Sequence, residues 1–328
     1  MLNKTILITG GTGSWGHELV KQLLPKNPKE IRILSRNESS QVAMAMQHEL
    51  NDKLKFIIGD IRDYEAVQKA SQNVDVIYHL AALKHVPICE NQPYETLKTN
   101  IVGTQHVIDA AITNNVKKVI YISTDKAANP ANFYGLTKAI GEKLIIHANV
   151  MRSSTKFVCI RGGNVLGTNG SVIHVFKDQI QRKGVVGITD KRMTRFFLTL
   201  EEAIKLIFKA TYESQGGEIF VMKMPTCKIT DLAEVLIEAS GEKNVTIIEN
   251  GIRPGEKLHE LLLSEYECTR SVYFDNEYFV ILPSIEIKGL NEHYSKLQKV
   301  DLQSYSSSEE LMTKEEIRKM LQKGDFLS

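Results

Sequence analysis

At 328 residues with 42% hydrophobic side chains, the chain can bury a large core in two lobes, and its 24% charged content is that of a globular enzyme-sized protein. A formal net charge of +2 gives no footing for nucleic acid or an anionic membrane, and no run reaches the ~18 apolar residues that span a bilayer. Cys89, Cys159, Cys227 and Cys268 are widely spaced with no CxxC unit, so free thiols and no metal site are expected; Lys4 followed directly by a strand leaves no room for a secretory segment, and a cytoplasmic location is the default.

Residues 4–9 read as a strand, followed at once by Gly10-Gly11-Thr12-Gly13-Ser14-Trp15-Gly16 and a helical pattern over 17–24. Glycines at 10, 13 and 16 provide a tight turn, close backbone approach to a pyrophosphate, and helix-on-strand contact, with the anion against the free amides of the helix start. Thr12, Ser14 and Trp15 fall within this cofactor-binding turn; packing is the better reading of Trp15. The second strand, 30–34, ends in Ser35-Arg36, and its one nearby acid, Glu30, stands at the wrong end for a ribose. A hydroxyl and a guanidinium suit a 2'-phosphate, which favours NADP over NAD, although Arg36 also reads as a solvated charge. A third strand over 55–59 delivers Asp60 and Ile61, placed to bond and cover an adenine, or Asp60 to cap a turn. The fourth, 74–80, runs into Ala81-Ala82-Leu83-Lys84-His85, where two alanines leave space for the cofactor and Lys84 and His85 are candidates for phosphate or ribose; His85 reads as readily as structural. A long helical stretch, 94–114, carries Asn100, which needs partners and can brace a neighbouring loop. This short-spaced alternation predicts an α/β fold, a Rossmann-like doubly wound parallel sheet covered on both faces.

The fifth strand, 119–123, delivers Thr124, Asp125 and Lys126 to the sheet edge where ligands bind in such folds. After the turn signals Asn129-Pro130, Tyr134 and Lys138 lie four residues apart on one helix face, so Lys138 can hold positive charge near the Tyr134 phenol and favour the phenolate. Tyr134 can then take a proton from an alcohol while a hydride passes to NADP+. If a sugar is oxidised at C4, its C5 hydrogen becomes acidic; a neutral Lys126 is the natural base and a protonated Asp125 can donate to the leaving C6 hydroxyl. An ion pair between Asp125 and Lys126 is the bland alternative, one that adjacent side chains on opposite faces do not readily make.

Beyond a sixth strand at 156–160, the segment 161–172 has too many glycines for regular structure and contains Asn164, Ser171 and Val172; it can follow a diphosphate with backbone amides, or simply link lobes. Residues 192–197 set Arg195 beside aromatic residues, suiting a phosphate and a base. The turn at 251–260 offers Arg253 for a diphosphate and Glu256 for a ribose or for orienting that arginine, with a surface turn as the alternative. The serine-rich 304–308 reads as a loop over the site or a mobile one. Residues 1–165 are expected to form mainly the NADP-binding domain and 166–328 mainly the substrate lobe, with part of 195–225 returning to the Rossmann core.

The chain resembles the extended short-chain dehydrogenase/reductases, and among them the UDP-N-acetylglucosamine 4,6-dehydratases of the inverting type. The likeness rests on GGTGSWG at 10–16, ALKHVP at 82–87, STDKAANP at 123–130, YGLTK at 134–138, MTRFF at 193–197 and GIRPGEKLHELLLS at 251–264. It implies tightly held NADP, C4 oxidation by Tyr134 and Lys138, Asp125 as acid at C6, Lys126 as base at C5, and Thr124 near C4. It also implies Asn164 and Arg253 at the nucleotide end, a dimer or a hexamer of dimers, and UDP-2-acetamido-2,6-dideoxy-β-L-arabino-hex-4-ulose as product. Dehydration that retains C5, release of a 5,6-ene sugar, a UDP-hexose 4-epimerase, a simple alcohol dehydrogenase and a non-catalytic dinucleotide sensor are the competing readings.

Overall fold

The computed structural model describes residues 1–151, 154–168 and 170–327. Six strands, β1 (Thr5–Thr9), β2 (Glu30–Ser35), β3 (Leu54–Ile58), β4 (Val76–His79), β5 (Lys118–Thr124) and β6 (Lys156–Gly162), pair in parallel in the order β3-β2-β1-β4-β5-β6. β1 and β4 are buried along their whole lengths, which is why they read as unbroken apolar runs. The strand order reverses between them, and an open α/β sheet opens its ligand crevice at such a point. Beyond β6 the sheet gains Ile219–Met222 in parallel, then Tyr278–Ile281 and Ser271–Tyr273 in antiparallel pairing. The expected Rossmann-like α/β sheet is what the chain forms.

Two glycines of the first turn are required by the fold itself. Gly10 has φ +68° and a Cβ there would stand 2.8 Å from the Ala81 backbone, while one on Gly16 would sit 1.9 Å from the Gly11 carbonyl oxygen. At the C-terminal ends of β1 and β4, His79 is wholly buried, its Nδ1 2.7 Å from Thr9 Oγ1 and its Nε2 3.1 Å from Thr104 Oγ1. Burial, helped by Lys138, drives the His79 pKa down to about 3, so the ring is a neutral structural brace.

The stretch expected as one long helix is interrupted. Pro93–Leu97 is followed by a π-helical turn, Lys98–Val102, before Gly103–Thr113 resumes. Asn100 lies in that turn, and the widened backbone aims its amide at the loop after β4: Oδ1 accepts from Leu83 N at 2.8 Å, and Nδ2 donates to Leu83 O at 2.9 Å and Thr137 Oγ1 at 3.0 Å.

A second apolar core, with Ile173, Phe176, Val186, Leu232 and Ile317, lies apart from that of the sheet. Two expectations for this region are corrected. Within the glycine-rich segment, Asn164–Val165 is a short strand pairing with Thr194–Leu198, because Gly163 packs where a Cβ would be 2.6 Å from Phe196 Cβ. The serine-rich stretch is fixed rather than free: Tyr305–Ser306 pairs with Leu261–Leu263, and Ser307 Oγ accepts from Glu260 N at 2.9 Å. No helix among the described residues is long and apolar enough to cross a membrane.

Candidate active site

A cleft of about 630 Å³ opens at the switch point. The glycine turn supplies Gly10, Gly13, Ser14, Trp15 and Gly16 to its wall, and the loop after β4 supplies Ala81, Ala82, Lys84 and His85. Thr124 and Lys126 enter from β5, Tyr134 and Lys138 from the helix Phe133–His147, and Asn164, Ser171 and Val172 from the glycine-rich segment. Residues from five separate stretches thus meet in one crevice.

At the end of β5 the chain makes a single tight turn, Asp125–Ala127, capped by Thr124. The Tyr134 helix presses on that turn because position 135 is glycine; a Cβ there would lie 2.3 Å from the Lys126 carbonyl oxygen. Asn132 caps the helix by accepting from Gly135 N at 2.8 Å, and Glu90 accepts from Phe133 N at 2.6 Å.

Asp125 is fully buried; its Oδ1 accepts from the Thr124 hydroxyl at 2.9 Å and from Lys126 Nζ at 3.1 Å. Its Oδ2 is buried with no hydrogen-bond partner among the described residues. Neighbours in sequence do pair here, contrary to expectation, because the turn brings both side chains to one side. Lys126 Nζ also lies 3.4 Å from Glu260 Oε1. Burial works against its charge, but Asp125 and Glu260 outweigh burial and hold it above the ordinary lysine range. For Tyr134, burial pushes the phenol up to about 12, while Lys126 and a hydrogen bond with Thr124 pull the other way. Lys138, the cation expected beside this phenol, faces another ring. Its Nζ stands 3.9 Å over the Tyr121 ring, and burial, resisted by Glu142, brings it down to about 7.

Other predicted residues lie outside the crevice wall. Ser35 is buried, its Oγ accepting from Gln41 Nε2 at 2.9 Å. Arg36 is open to solvent, its side chain 58% exposed and Nη1 3.9 Å from Asp60 Oδ2. Asp60 mainly receives Arg62, at 2.8 Å from Nε and 2.6 Å from Nη2, and Arg62 also reaches Glu95 at 2.8 Å. Ile61 is core, touching the place where a Gly103 Cβ would be, and Thr12 is half-buried beside the turn. Arg195 is buried, with Nη1 donating to Thr194 O at 2.7 Å and Leu258 O at 3.1 Å. Arg253 is 65% exposed and 3.9 Å from Glu256, whose Oε2 is buried without a hydrogen-bond partner among the described residues. Neither arginine, nor Glu256, lines the cleft.

Two residues escaped sequence reasoning. Lys257 Nζ donates to Ala128 O and Asn129 O, each at 3.0 Å, and lies 3.3 Å from Glu260 Oε2. Glu260 in turn touches Lys126. The alternating charges of Glu256-Lys257-Leu258-His259-Glu260 were the available signal, but nothing local says that this turn docks on the end of β5. Among the described residues no group of His, Cys, Asp and Glu is arranged to hold a metal ion.

Known proteins share much of this sequence and its fold. The chain is 44% identical over 315 residues to the UDP-N-acetylglucosamine 4,6-dehydratase (inverting) of Campylobacter jejuni, covering 93% of this chain and 92% of that protein. It is 39% identical over 334 residues to a protein named UDP-glucose 4-epimerase of Rickettsia felis, covering 99% and 97%. Pen from Bacillus thuringiensis, known from an X-ray structure, superposes with a TM-score of 0.91 at 37% identity over 98% of this chain and 99% of its own. The model of the family described as Polysaccharide biosynthesis protein matches residues 6–282, and the chain belongs to that family.

Proposed function

We propose that this protein is a nucleotide-sugar dehydratase, acting on UDP-N-acetylglucosamine with bound NADP to form the 4-keto-6-deoxy sugar, with inversion at C5. The observation that carries the reading is the buried Asp125–Lys126 pair set against Tyr134: a carboxylate with an unbonded oxygen, an amine and a phenol around one crevice. A 4-epimerase, the activity in the name of the Rickettsia felis relative, needs the phenol but has no use for the acid and the amine.

The glycine turn fits a dinucleotide. A Cβ on Gly13 would meet only the Gly10 carbonyl oxygen, at an ordinary 3.5 Å, so the protein does not itself require glycine there; a pyrophosphate pressed against the start of helix Ser14–Leu23 does. Exposed Arg36 supports a 2'-phosphate on the ribose. Held by this turn, the cofactor would supply hydride transfer, from C4 of the sugar and back to C6. Gly13→Ala is therefore expected to leave stability within about 1 kcal/mol while weakening NADP binding at least about tenfold, measured by urea denaturation and by calorimetric titration. Equal binding by the variant would remove the pyrophosphate from this turn.

The remaining steps belong to side chains. Tyr134, as phenolate, takes the C4 hydroxyl proton, favoured by the Lys126 ammonium. Elimination then needs a neutral amine and a protonated acid, the reverse of the resting pair. Moving one proton from Lys126 to Asp125 across 3.1 Å creates both at once. Lys126 takes the C5 proton, Asp125 gives its proton to the C6 hydroxyl, which leaves as water, and the pair ends as it began; hydride at C6 and a solvent-derived proton on the opposite face of C5 then complete the inverted product. Also on the crevice wall, Ser171 opens the helix Val172–Lys183 with its Oγ buried and without a hydrogen-bond partner among the described residues, which suits the sugar nucleotide's diphosphate.

The test is incubation with UDP-N-acetylglucosamine in deuterated water without added cofactor, followed by NMR. A C6 methyl, deuterium at C5 and no net reduced nucleotide are expected. A 4-epimer free of solvent deuterium would overturn the dehydratase reading.

A further inference from the structure

We propose that Glu260 is a positioning residue of the reaction centre: with Asp125 it brackets the Lys126 ammonium and keeps that charge beside Tyr134 while C4 is oxidised. The inference rests on Tyr134 being the C4 base, a step that dehydratase and epimerase readings share. Glu260 is 2% exposed, and its carboxylate lies 3.4 Å from Lys126 Nζ, 3.3 Å from Lys257 Nζ and 3.9 Å from Arg195 Nε. Its backbone is fixed as well, donating to Ser307 Oγ at 2.9 Å and accepting from Ser307 N at 2.9 Å. A buried carboxylate so placed cannot be left unpaired, and three cations from three different segments converge on it.

The groups facing Lys126 come from every element around it: Asp125 from its own turn, Glu260 from the docked segment, Arg195 from the strand Thr194–Leu198, and Tyr134 from the helix. Arg195 opposes the lysine's charge, so Asp125 alone would have to balance both Arg195 and burial. Glu260 supplies the second negative charge, and lies low itself because Lys126, Arg195 and Lys257 overcome its burial. In the oxidation the C4–H and O–H bonds break, the hydride passes to NADP+ and the proton to the Tyr134 phenolate. The nearby ammonium favours that phenolate, so removing Glu260 lets Lys126 discharge earlier and leaves Tyr134 harder to ionise.

Two measurements test this. In protein carrying 13C-labelled lysine, the Lys126 ε-methylene signal, identified by its loss in Lys126→Arg, is expected to stay charged through about pH 10 in the wild type and to titrate below that in Glu260→Gln. This needs neither substrate nor cofactor, so it stands or falls apart from the NMR product assay. In single-turnover C4 oxidation, the rising limb of the pH profile should move up by about one unit in Glu260→Gln, about tenfold slower below the limb, and stay in place in Glu260→Asp. A lower plateau with an unmoved limb, or a Lys126 signal still untitrated at pH 10 in Glu260→Gln, would reduce Glu260 to a structural residue and overturn the proposal. Should Glu260→Gln not fold, Asp125→Asn decides: Glu260 alone then holds the lysine charge, and the limb moves down, whereas an upward shift refutes the role.

Discussion

Lys126→Ala is expected to stop water elimination while C4 oxidation continues, so that reduced nicotinamide builds up and the C6 methyl product falls by about 10²–10⁴-fold. The loss is large because the amine paired with Asp125 is the group set to receive the C5 proton. Oxidation itself should slow at neutral pH, since a cation that favours the Tyr134 phenolate goes with the side chain, and recover as pH rises; elimination should not recover. Asp125→Asn should fail differently, allowing deuterium into C5 but retaining the C6 hydroxyl. Stopped-flow absorbance and NMR in deuterated water separate the two, and normal turnover in Lys126→Ala would take the C5 step away from it.

Arg161→Met should be the most destabilising single change outside the crevice. Arg161 lies in β6, 1% exposed, with Nε and Nη2 on Glu142 at 3.0 and 2.7 Å, Nη1 and Nη2 on Glu267 at 3.0 and 2.9 Å, and Nη1 on Leu262 O at 2.8 Å. Methionine fills the space but leaves two carboxylates facing each other out of water, which costs about 3–5 kcal/mol. Urea midpoints give the number, and adding Glu142→Gln and Glu267→Gln should restore much of it. The deficit has a pH signature. Burial raises Glu267, but Arg161 and Ser264 overcome it and hold the carboxyl down at about 2. A depressed carboxyl stabilises the fold above its unfolded value of about 4.5 and loses that contribution as pH falls towards 2. The gap between wild type and variant should therefore narrow through that window; a constant gap would mean that packing, not charge, holds the strand to the helix.

The parallel sheet and its crevice were legible because they depend on local signals: apolar runs, the glycine turn, and a polar tripeptide at a strand end. Tyr134 and Lys138 share a helix face, and that too is local. What their charges do is not, since Lys138 turns to the Tyr121 ring only because β5 runs beneath it. Lys126 gains its second partner only because Leu261–Leu263 packs on the Asp125–Ala127 turn, more than a hundred residues away in sequence. The π turn escaped for a similar reason, its extra residue being selected by Leu83 and Thr137 rather than by propensity. Arg62 was missed although Asp60-Ile61-Arg62 brings acid and base within reach across one residue.

Asn100 ties the floor of the crevice to its helical side. With Leu83 and Thr137 both fastened to one amide, the loop after β4 and the Tyr134 helix travel as a single body. Across the cleft the facing rim, residues 164–168 and 170–173, is held differently, with Leu166 and Ile173 resting on the separate small core. The phenol's helix is thereby tied to the loop below it and not to the rim it faces.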